Sequence, residues 1–319
     1  MHKDLLIHLP VVAAVARHRS FVAAAGALNM SASAVSHAVR AVEDRLGEAL
    51  FARTTRSVSL TEAGAEFVRR IDAALQDIGT AVDGVSAARG ELRGLLRLNA
   101  SRVAFMMAVV PVLARLARRH PRLSVEVHTD DALVDIVAQG FDAGIRLGEA
   151  VQQDMVAVRL TPGFEAIVVA SPAYVRERGA PSACADLAAH DCIGYRLLAS
   201  GSLYEWELDE QGRRVVLAAR GSAIVTDATA ARELALAAAG IAYVFEPLVR
   251  EDLRQGRLLR LLPRASLRHD GLFLYFPRRA SMSAKLRAFI DAAAQEAAFA
   301  AQDTSAAGRR RTAPPRRRP

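Results

Sequence analysis

The chain has 319 residues, a formal net charge of +8 and 52% hydrophobic residues, of which few are aromatic. These values are typical of a globular protein of two or three domains and exclude a disordered chain. The positive charge is unevenly distributed: residues 1–60 carry +3 and residues 302–319 carry +5, so residues 61–301 are close to neutral. A basic head on a neutral body indicates contact with a polyanion through one module.

Residues 20–46 are predicted to form two short helices joined by a tight turn. Ser20 and Ser31 are suitable N-caps for the two helices. A helix over residues 3–18 precedes them, in which Pro10 marks a bend or a late helix start. The second helix of the pair carries an apolar stripe at helical spacing, formed by Val35, Val39, Val42 and Leu46.

This pair indicates a helix-turn-helix whose second helix enters the major groove of DNA, although an ordinary αα-hairpin would use the same apolar spacing. Phe51–Leu60 follows as a β-hairpin with a basic tip, which would lie along the phosphates beside the groove. The predicted DNA-binding residues are Ser31, Ser33, Ser36, His37, Arg40, Arg53, Thr54 and Arg56.

Several motifs in this region occur in a specific order and spacing: AAAGALNMSASAVS at residues 23–36, Glu43 with Leu46-Gly47, LFAR at 50–53 and LTEAG at 60–64. Over about sixty residues they resemble the winged helix-turn-helix of LysR-type transcriptional regulators. The resemblance implies an all-α winged helix-turn-helix at residues 1–60, a linker helix and an α/β effector domain of two lobes like those of type 2 periplasmic binding proteins.

The next segment, residues 61–89, is predicted to be one long helix that begins at Thr61. Its apolar residues alternate steps of three and four, which is a heptad seam typical of helix pairing, although a helix packed on its own domain is the alternative. In the LysR family the corresponding helix pairs two DNA-binding domains, which implies a dimer and, further, a dimer of dimers. The predicted dimerisation residues are Val68, Ile71, Leu75, Ile78, Val82 and Val85.

Beyond a hinge at residues 89–94, short apolar strands alternate with helices, which is an α/β pattern with mostly parallel connections. The predicted elements include a helix over residues 132–139 and a strand over residues 164–170. The effector domain is assigned to residues 90–301, and the resemblance places crossings between its two lobes near residues 161–163 and 268–271. Residues 302–319 are predicted to be a disordered basic tail, with extra attraction to phosphate as the sharper alternative.

Ligands of open α/β lobes bind beyond the carboxyl ends of the strands, near helix N-termini. Ser101 also resembles the family's pocket hydroxyl, and Arg102 and Arg146 would favour a carboxylate effector, with salt bridges as the alternative role for each arginine. Trp206 is expected to pack in the core rather than line the pocket. The predicted effector-binding residues are Ser101, Arg102, Thr129, Arg146, Ser171, Tyr195 and Thr226.

The sequence contains no nucleophile elbow, P-loop, dinucleotide fingerprint or zinc-protease motif, so we predict a protein that is not an enzyme and holds no cofactor. Cys184 and Cys192 lack zinc-ligand spacing, so we predict free thiols and no metal. No signal peptide or membrane-length apolar run is recognised, which favours a cytoplasmic location. The expected partners are double-stranded DNA, a small-molecule effector, a second copy of the chain and RNA polymerase. A nonspecific architectural DNA-binding protein is the alternative function.

Overall fold

A computed structural model describes residues 3–53, 58–87, 92–137, 139–148, 155–210, 212–277 and 282–311. Within it the chain divides into two compact units. One comprises Met1–Leu92, Asp135–Asp142 and Arg278–Ala284, and the other comprises Arg93–Val134, Ala143–Pro277 and Lys285–Pro319.

The first unit is built from five helices and one hairpin. Pro10 lies in the first turn of the second helix, where its missing N–H removes no hydrogen bond, so the late helix start is confirmed and two helices replace the single predicted one. The elements are α1 Lys3–Leu6, α2 Leu9–His18, α3 Phe21–Leu28, α4 Ala32–Leu46, β1 Phe51–Arg53, β2 Val58–Leu60 and α5 Glu62–Ala87.

One apolar core holds this unit together. It collects buried valines of α2 and α4, alanines of α3, Leu50 and Phe51 of the hairpin, and Val68 and Ile71 of α5. Because Ala24 and Ala25 have the smallest apolar side chains and are buried, α3 packs closely on its neighbours.

The predicted heptad seam of α5 is therefore wrong for its first two positions. Val68 and Ile71 are each 7% exposed inside the core of their own domain, and Leu75 packs against the same core. Ile78 and Val82 are 61% and 59% exposed, so the outward stripe begins only after α5 leaves the core. The Val85 side chain lies outside the described part of the structure.

The second unit contains two lobes, each built around a mixed sheet. The first-lobe strands lie in the order β4-β3-β5-β15-β6, with β3 parallel to β4 and β5, and β15 antiparallel to both of its neighbours. The bounds are β3 Arg93–Ala100, β4 Arg122–Thr129, β5 Ala143–Leu147, β6 Met155–Arg159 and β15 Leu272–Pro277.

The helical segment of the first lobe connects β3 to β4. It comprises α6 Arg102–Ala104, a π-helical turn at Phe105–Val109 and α7 Val110–Arg119. The helix predicted over residues 132–139 is absent from the described residues of that range. Asp130 and Asp135 instead accept hydrogen bonds from the backbone amides two residues further on, which stabilises turns that compete with a helix.

The second lobe repeats this strand order. Its strands are β7 Phe164–Ala170, β8 Gly194–Tyr195, β9 Glu205–Glu210, β10 Arg213–Ala218, β11 Ile224–Val225, β12 Ala242–Phe245, β13 Leu259–Leu261 and β14 Leu267–His269, with helices α8 Pro172–Arg178, α9 Ala228–Leu236 and α10 Glu246–Arg254 and a 3₁₀ turn at Cys184–Ala189. β11 is parallel to β8, a parallel bridge from Cys192 to Ile241 connects the β8 edge to that of β12, and β7 runs antiparallel to both β12 and β13.

Strand β7 has an apolar layer on each face, as its period of two requires. Val168 and Ala170 pack with Trp206, whereas Ile167 and Val169 pack with the layer that contains Ala231 of α9. Burial on both faces explains why residues 166–170 of the strand are apolar without interruption.

The two crossings between the lobes lie side by side, where the resemblance places them. The Leu160 amide donates to the Leu272 carbonyl, and the Leu272 amide donates to the Thr161 hydroxyl at 2.9 Å. Gly271 adopts a φ of +113°, and a Cβ there would lie 2.6 Å from the Thr161 carbonyl oxygen, so the crossing requires glycine.

The last helix, α11, spans Ala284–Arg311. The prediction of a disordered tail from residue 302 is therefore wrong for residues 302–311, and residues 312–319 lie outside the described part. Residues 284–301 of α11 are rich in alanine, which favours helix, and the first proline after residue 302 is Pro314.

Candidate DNA-binding surface and effector cavity

Helix α4 has one buried and one exposed face. Val35, Ala38, Val39 and Val42 are buried, whereas Leu46 at the C-terminal end is 39% exposed. The Ser31 side chain accepts a hydrogen bond from the Ala34 amide at 3.1 Å and so caps the helix, as predicted.

The polar residues predicted to contact DNA lie on the exposed side of α4. Ser33, His37 and Arg40 are exposed and Ser36 is half-buried. They therefore share one accessible face, as a recognition helix requires. The Arg53 side chain lies outside the described part of the structure, as do Thr54 and Arg56.

The β1–β2 hairpin is fixed to α4 by one carboxylate. Glu43 accepts hydrogen bonds from the amides of Leu50 at 2.9 Å and Phe51 at 3.1 Å. Charge-assisted hydrogen bonds of this kind are about twice as strong as neutral ones. The contact sets the position of the hairpin relative to the exposed face of α4.

In the second unit a cavity of about 320 Å³ lies between the two lobes. The first lobe contributes Ser101, Val103, Asp131, Leu133, Arg146 and Leu147 to its lining. The second lobe contributes an aromatic wall that includes Tyr195, Tyr204, Trp206, Tyr243 and Phe245, with His269 nearby. A molecule in this cavity therefore touches both lobes at once.

Arg146, at the end of β5, is the buried cation of this cavity. Its side chain donates to the carbonyls of Ile145, Asp130 and Ala132 at 2.9, 2.9 and 3.0 Å, and to the Asn99 side chain. It is 4% exposed, and burial lowers its pKa from the usual value. Within the described residues it forms no salt bridge, and its Nε has no hydrogen-bond acceptor. Among the described residues, Arg146 is thus a buried positive charge without a salt-bridge partner.

Two hydroxyl groups of the lining keep hydrogen-bonding capacity. Ser101 Oγ accepts from the Ala104 amide at 3.2 Å, so its own proton is free to be donated. The Tyr195 hydroxyl bonds to no other described residue, and burial, followed by the charges of Asp131 and Asp227, raises its pKa to about 12. Both hydroxyls are therefore neutral donors at physiological pH.

Four of the predicted effector residues lie outside the lining. The Arg102 guanidinium forms a 3.5 Å salt bridge to Asp227 of the other lobe, which is the alternative role considered for it. Thr129 and Thr226 are exposed. Ser171 follows β7, which runs antiparallel to its neighbours, so it lies at the opposite edge of the sheet, buried as the N-cap of α8. The direction of β7 therefore excludes Ser171 from the cavity lining, and the local sequence does not show that direction.

Apart from Tyr195, the residues of the aromatic wall were missed by sequence reasoning, as was Asp131. Trp206 is 1% exposed, and its ring stacks on that of Tyr243 at 5.5 Å, so it is a core residue that also lines the cavity. Tyr204 also stacks with Tyr243, with ring centroids 6.4 Å apart. The only sequence signal was the presence of Tyr204 and Trp206 in one short segment, YEWEL.

Comparison with known proteins supports the same division into a DNA-binding domain and an effector-binding domain. Residues 6–65 match the family described as bacterial regulatory helix-turn-helix protein, lysR family, and residues 89–298 match the LysR substrate binding domain. The chain belongs to the LysR family. LysR-type regulators are transcriptional regulators that bind DNA and small-molecule effectors and form oligomers.

Individual LysR-type relatives resemble the chain over most of its length. It is 40% identical to the uncharacterized HTH-type transcriptional regulator YcaN of Escherichia coli over 87% of this chain and 91% of YcaN. It is 32% identical to the E. coli regulator PgrR, covering 91% and 97% of the two chains. The solved structure of CrgA, a LysR-type regulator from Neisseria meningitidis, is 28% identical, covers 91% of this chain and 98% of its own, and has a TM-score of 0.59.

The two-domain family match shows a transcriptional regulator with an effector-binding domain, and these relatives give no support to the architectural alternative. No helix of the described residues combines the length and apolar character needed to cross a membrane. The same residues contain no group of three or more histidine, cysteine, aspartate or glutamate side chains arranged to hold a metal. Cys184 and Cys192 are buried free thiols, and burial raises their pKa to about 11 and about 12.

Proposed function

We propose that this LysR-type regulator binds a small carboxylate with an apolar, preferably aromatic body in its interlobe cavity. The carrying observation is Arg146, a buried cation of the lining that has no ion-pair partner among the described residues. An unpaired charge in a low-dielectric site is costly, and a ligand anion relieves that cost. Ser101 and Tyr195 add neutral donors, and the aromatic wall takes the apolar body.

Binding alters DNA binding only if the ligand has different affinities for two arrangements of the lobes. The cavity meets this condition because its anion-binding groups Ser101 and Arg146 belong to the first lobe and its aromatic wall belongs to the second. A ligand that touches both walls stabilises the closed arrangement. The Arg102–Asp227 salt bridge joins the lobes at the same cleft and would respond to that closure.

On the DNA side, we infer that the exposed face of α4 reads base edges and that the hairpin contacts phosphates. The inferred contacts are Ser31, Ser33, Ser36, His37, Arg40, Arg53, Thr54 and Arg56. Two copies of the face, paired through α5, would read two half-sites about one helical turn apart. A dimer of dimers, contact with RNA polymerase, a cytoplasmic location and the lack of catalytic activity belong to the same proposal.

To test the cavity, the full-length protein is titrated with carboxylates that have aromatic or branched aliphatic bodies, and the affinity of each is measured by calorimetry. Arg146→Met should lose at least tenfold in affinity for every acid that binds, since one charge-assisted interaction to a buried group is worth about 1.5–3 kcal/mol. Arg119→Met, which removes an exposed arginine outside the lining, is the matched control. Because Arg146 also holds several carbonyls, Arg146→Lys tests charge with less loss of structure. Equal affinity in both Arg146 variants and the wild type would refute the assignment.

A further inference from the structure

Asp131 is the acidic residue of the cavity lining. One of its carboxylate oxygens accepts a hydrogen bond from the Arg102 backbone amide at 3.0 Å. Its other oxygen accepts no hydrogen bond from the described residues, and the side chain is in no salt bridge with them. Among the described residues, the cavity therefore presents a carboxylate oxygen without a hydrogen-bond donor as well as a buried cation without a salt-bridge partner.

The charges that face Asp131 do not favour a simple anion. Asp130 follows the same strand and acts on Arg146, and Asp227 acts on Asp131 from the second lobe. The three carboxylates are balanced only in part by the two guanidinium groups of Arg102 and Arg146, so the cluster carries one net negative charge. His269 and three tyrosines, Tyr195, Tyr204 and Tyr243, complete the titratable groups that line the cavity. A ligand that adds only negative charge enters an environment that is already negative overall.

We propose that the effector carries a protonated amine as well as a carboxylate, with the amine against Asp131 and the carboxylate towards Arg146. This deepens the proposed function, on which it rests, by naming an amino acid or a similar zwitterion as the ligand class. Since no salt bridge joins Asp131 to Arg146 directly, a molecule with both charges can lie between them and pair with each. It leaves the net charge of the cluster unchanged.

The aromatic wall suits this ligand as well. Tyr195, on which the charges of Asp131 and Asp227 act, contacts Tyr204 edge to face, with ring centroids 6.3 Å apart. Tyrosine faces attract ammonium groups, and the attraction grows as water is excluded. The remaining wall around Trp206 and Tyr243 is apolar and takes the side chain of the ligand. A dicarboxylate of similar size would instead bring a second anion next to Asp131.

Burial, together with the charge of Asp227, raises the pKa of the Asp131 carboxyl above its ordinary value, while the Arg102 backbone hydrogen bond opposes the shift. Only the ionised carboxylate attracts an ammonium group. Affinity for the zwitterion should therefore fall as the pH is lowered through the pKa of Asp131, and recover as it is raised. A ligand that lacks the amine has no attraction to Asp131 to lose.

The experiment uses full-length protein and three sets of probes that differ by one charge. L-phenylalanine, L-tryptophan and L-leucine are each compared by calorimetry with the corresponding acid that lacks the amine and the amine that lacks the carboxylate. At least one amino acid should bind tenfold or more tightly than both of its analogues. Acids that bind as tightly as their amino acids would overturn the amine assignment but leave the carboxylate function standing. Amines that bind as tightly as their amino acids, or no binding by any probe, would overturn both.

Asp131→Asn supplies the second readout. Its amide oxygen can still accept from the Arg102 amide, so the loop should keep its shape, whereas the charge is gone. The variant should bind the acid without the amine at least as tightly as the wild type does, because one negative charge is gone, but lose the preference for the amino acid and its pH dependence. Asp291→Asn removes an exposed carboxylate of α11 and should change neither quantity. A preference that survives in Asp131→Asn would overturn the role of Asp131.

Discussion

The exposed stripe of α5, Ile78 and Val82, offers a quantitative test of dimerisation. These two side chains follow the portion of α5 that packs in its own domain, and they leave about 60% of their surface in solvent. The double substitution Ile78→Ala, Val82→Ala removes apolar surface while keeping a residue of high helix propensity. The helix itself should persist.

The expected loss follows from the exposed fractions. Burial contributes about 0.8 kcal/mol for each methylene-sized group, and the double variant removes about five such groups per protomer. If the exposed 61% and 59% become buried in the dimer, the loss is about 2.4 kcal/mol per protomer. A two-fold interface counts each change twice, so the dimer loses about 5 kcal/mol, or roughly 10³- to 10⁴-fold in dissociation constant.

Analytical ultracentrifugation over a wide concentration range measures this constant. The control is Val22→Ala, since Val22 is 73% exposed on α3, away from the stripe. The control should dimerise as the wild type does and keep the same helical circular dichroism. A double variant whose dissociation constant stays within threefold of the wild type would refute the assignment of these residues to the dimer interface.

Two further outcomes are expected in the DNA-binding unit. Arg40→Ala should weaken binding to a footprinted operator by about 1–3 kcal/mol, whereas Arg118→Ala on the effector domain should not, and equal affinities would remove Arg40 from the recognition face. Gly64→Ala should destabilise this unit by about 1–3 kcal/mol, because its methyl group would lie 2.0 Å from the Leu50 carbonyl oxygen. Gly79→Ala in the same helix meets nothing within 4 Å and should stabilise it by up to about 1 kcal/mol, so thermal melts that rank the two variants the other way would contradict the packing.

The local sequence predicted correctly those helices and strands whose pattern of burial stays the same from one end to the other. The stripe of α4 and its Ser31 cap follow from periodicity and from the chemistry of one hydroxyl. The strand predicted over residues 164–170 has the same bounds as β7. The motifs at residues 20–64 were specific enough to identify the family, and with it the two-lobed domain.

Predictions from local sequence were wrong where the same pattern of residues is compatible with two different tertiary arrangements. Steps of three and four along α5 describe a helix in a dimer seam and a helix on its own domain equally well, and burial of Val68 and Ile71 decided for the domain. The apolar and helical character of residues 132–139 was overridden by the carboxylates of Asp130 and Asp135, which bond to nearby amides.

The sequence by itself determined the family, the DNA-binding module and three residues of the cavity, Ser101, Arg146 and Tyr195. Only the tertiary structure decided that Ser171 lies at the opposite edge of its sheet, because strand direction depends on how the chain crosses between the lobes. It alone placed Asp131 of one lobe opposite the aromatic wall of the other. These residues are far apart in the chain, and a ligand site formed between them leaves no spacing for a sequence pattern to reveal.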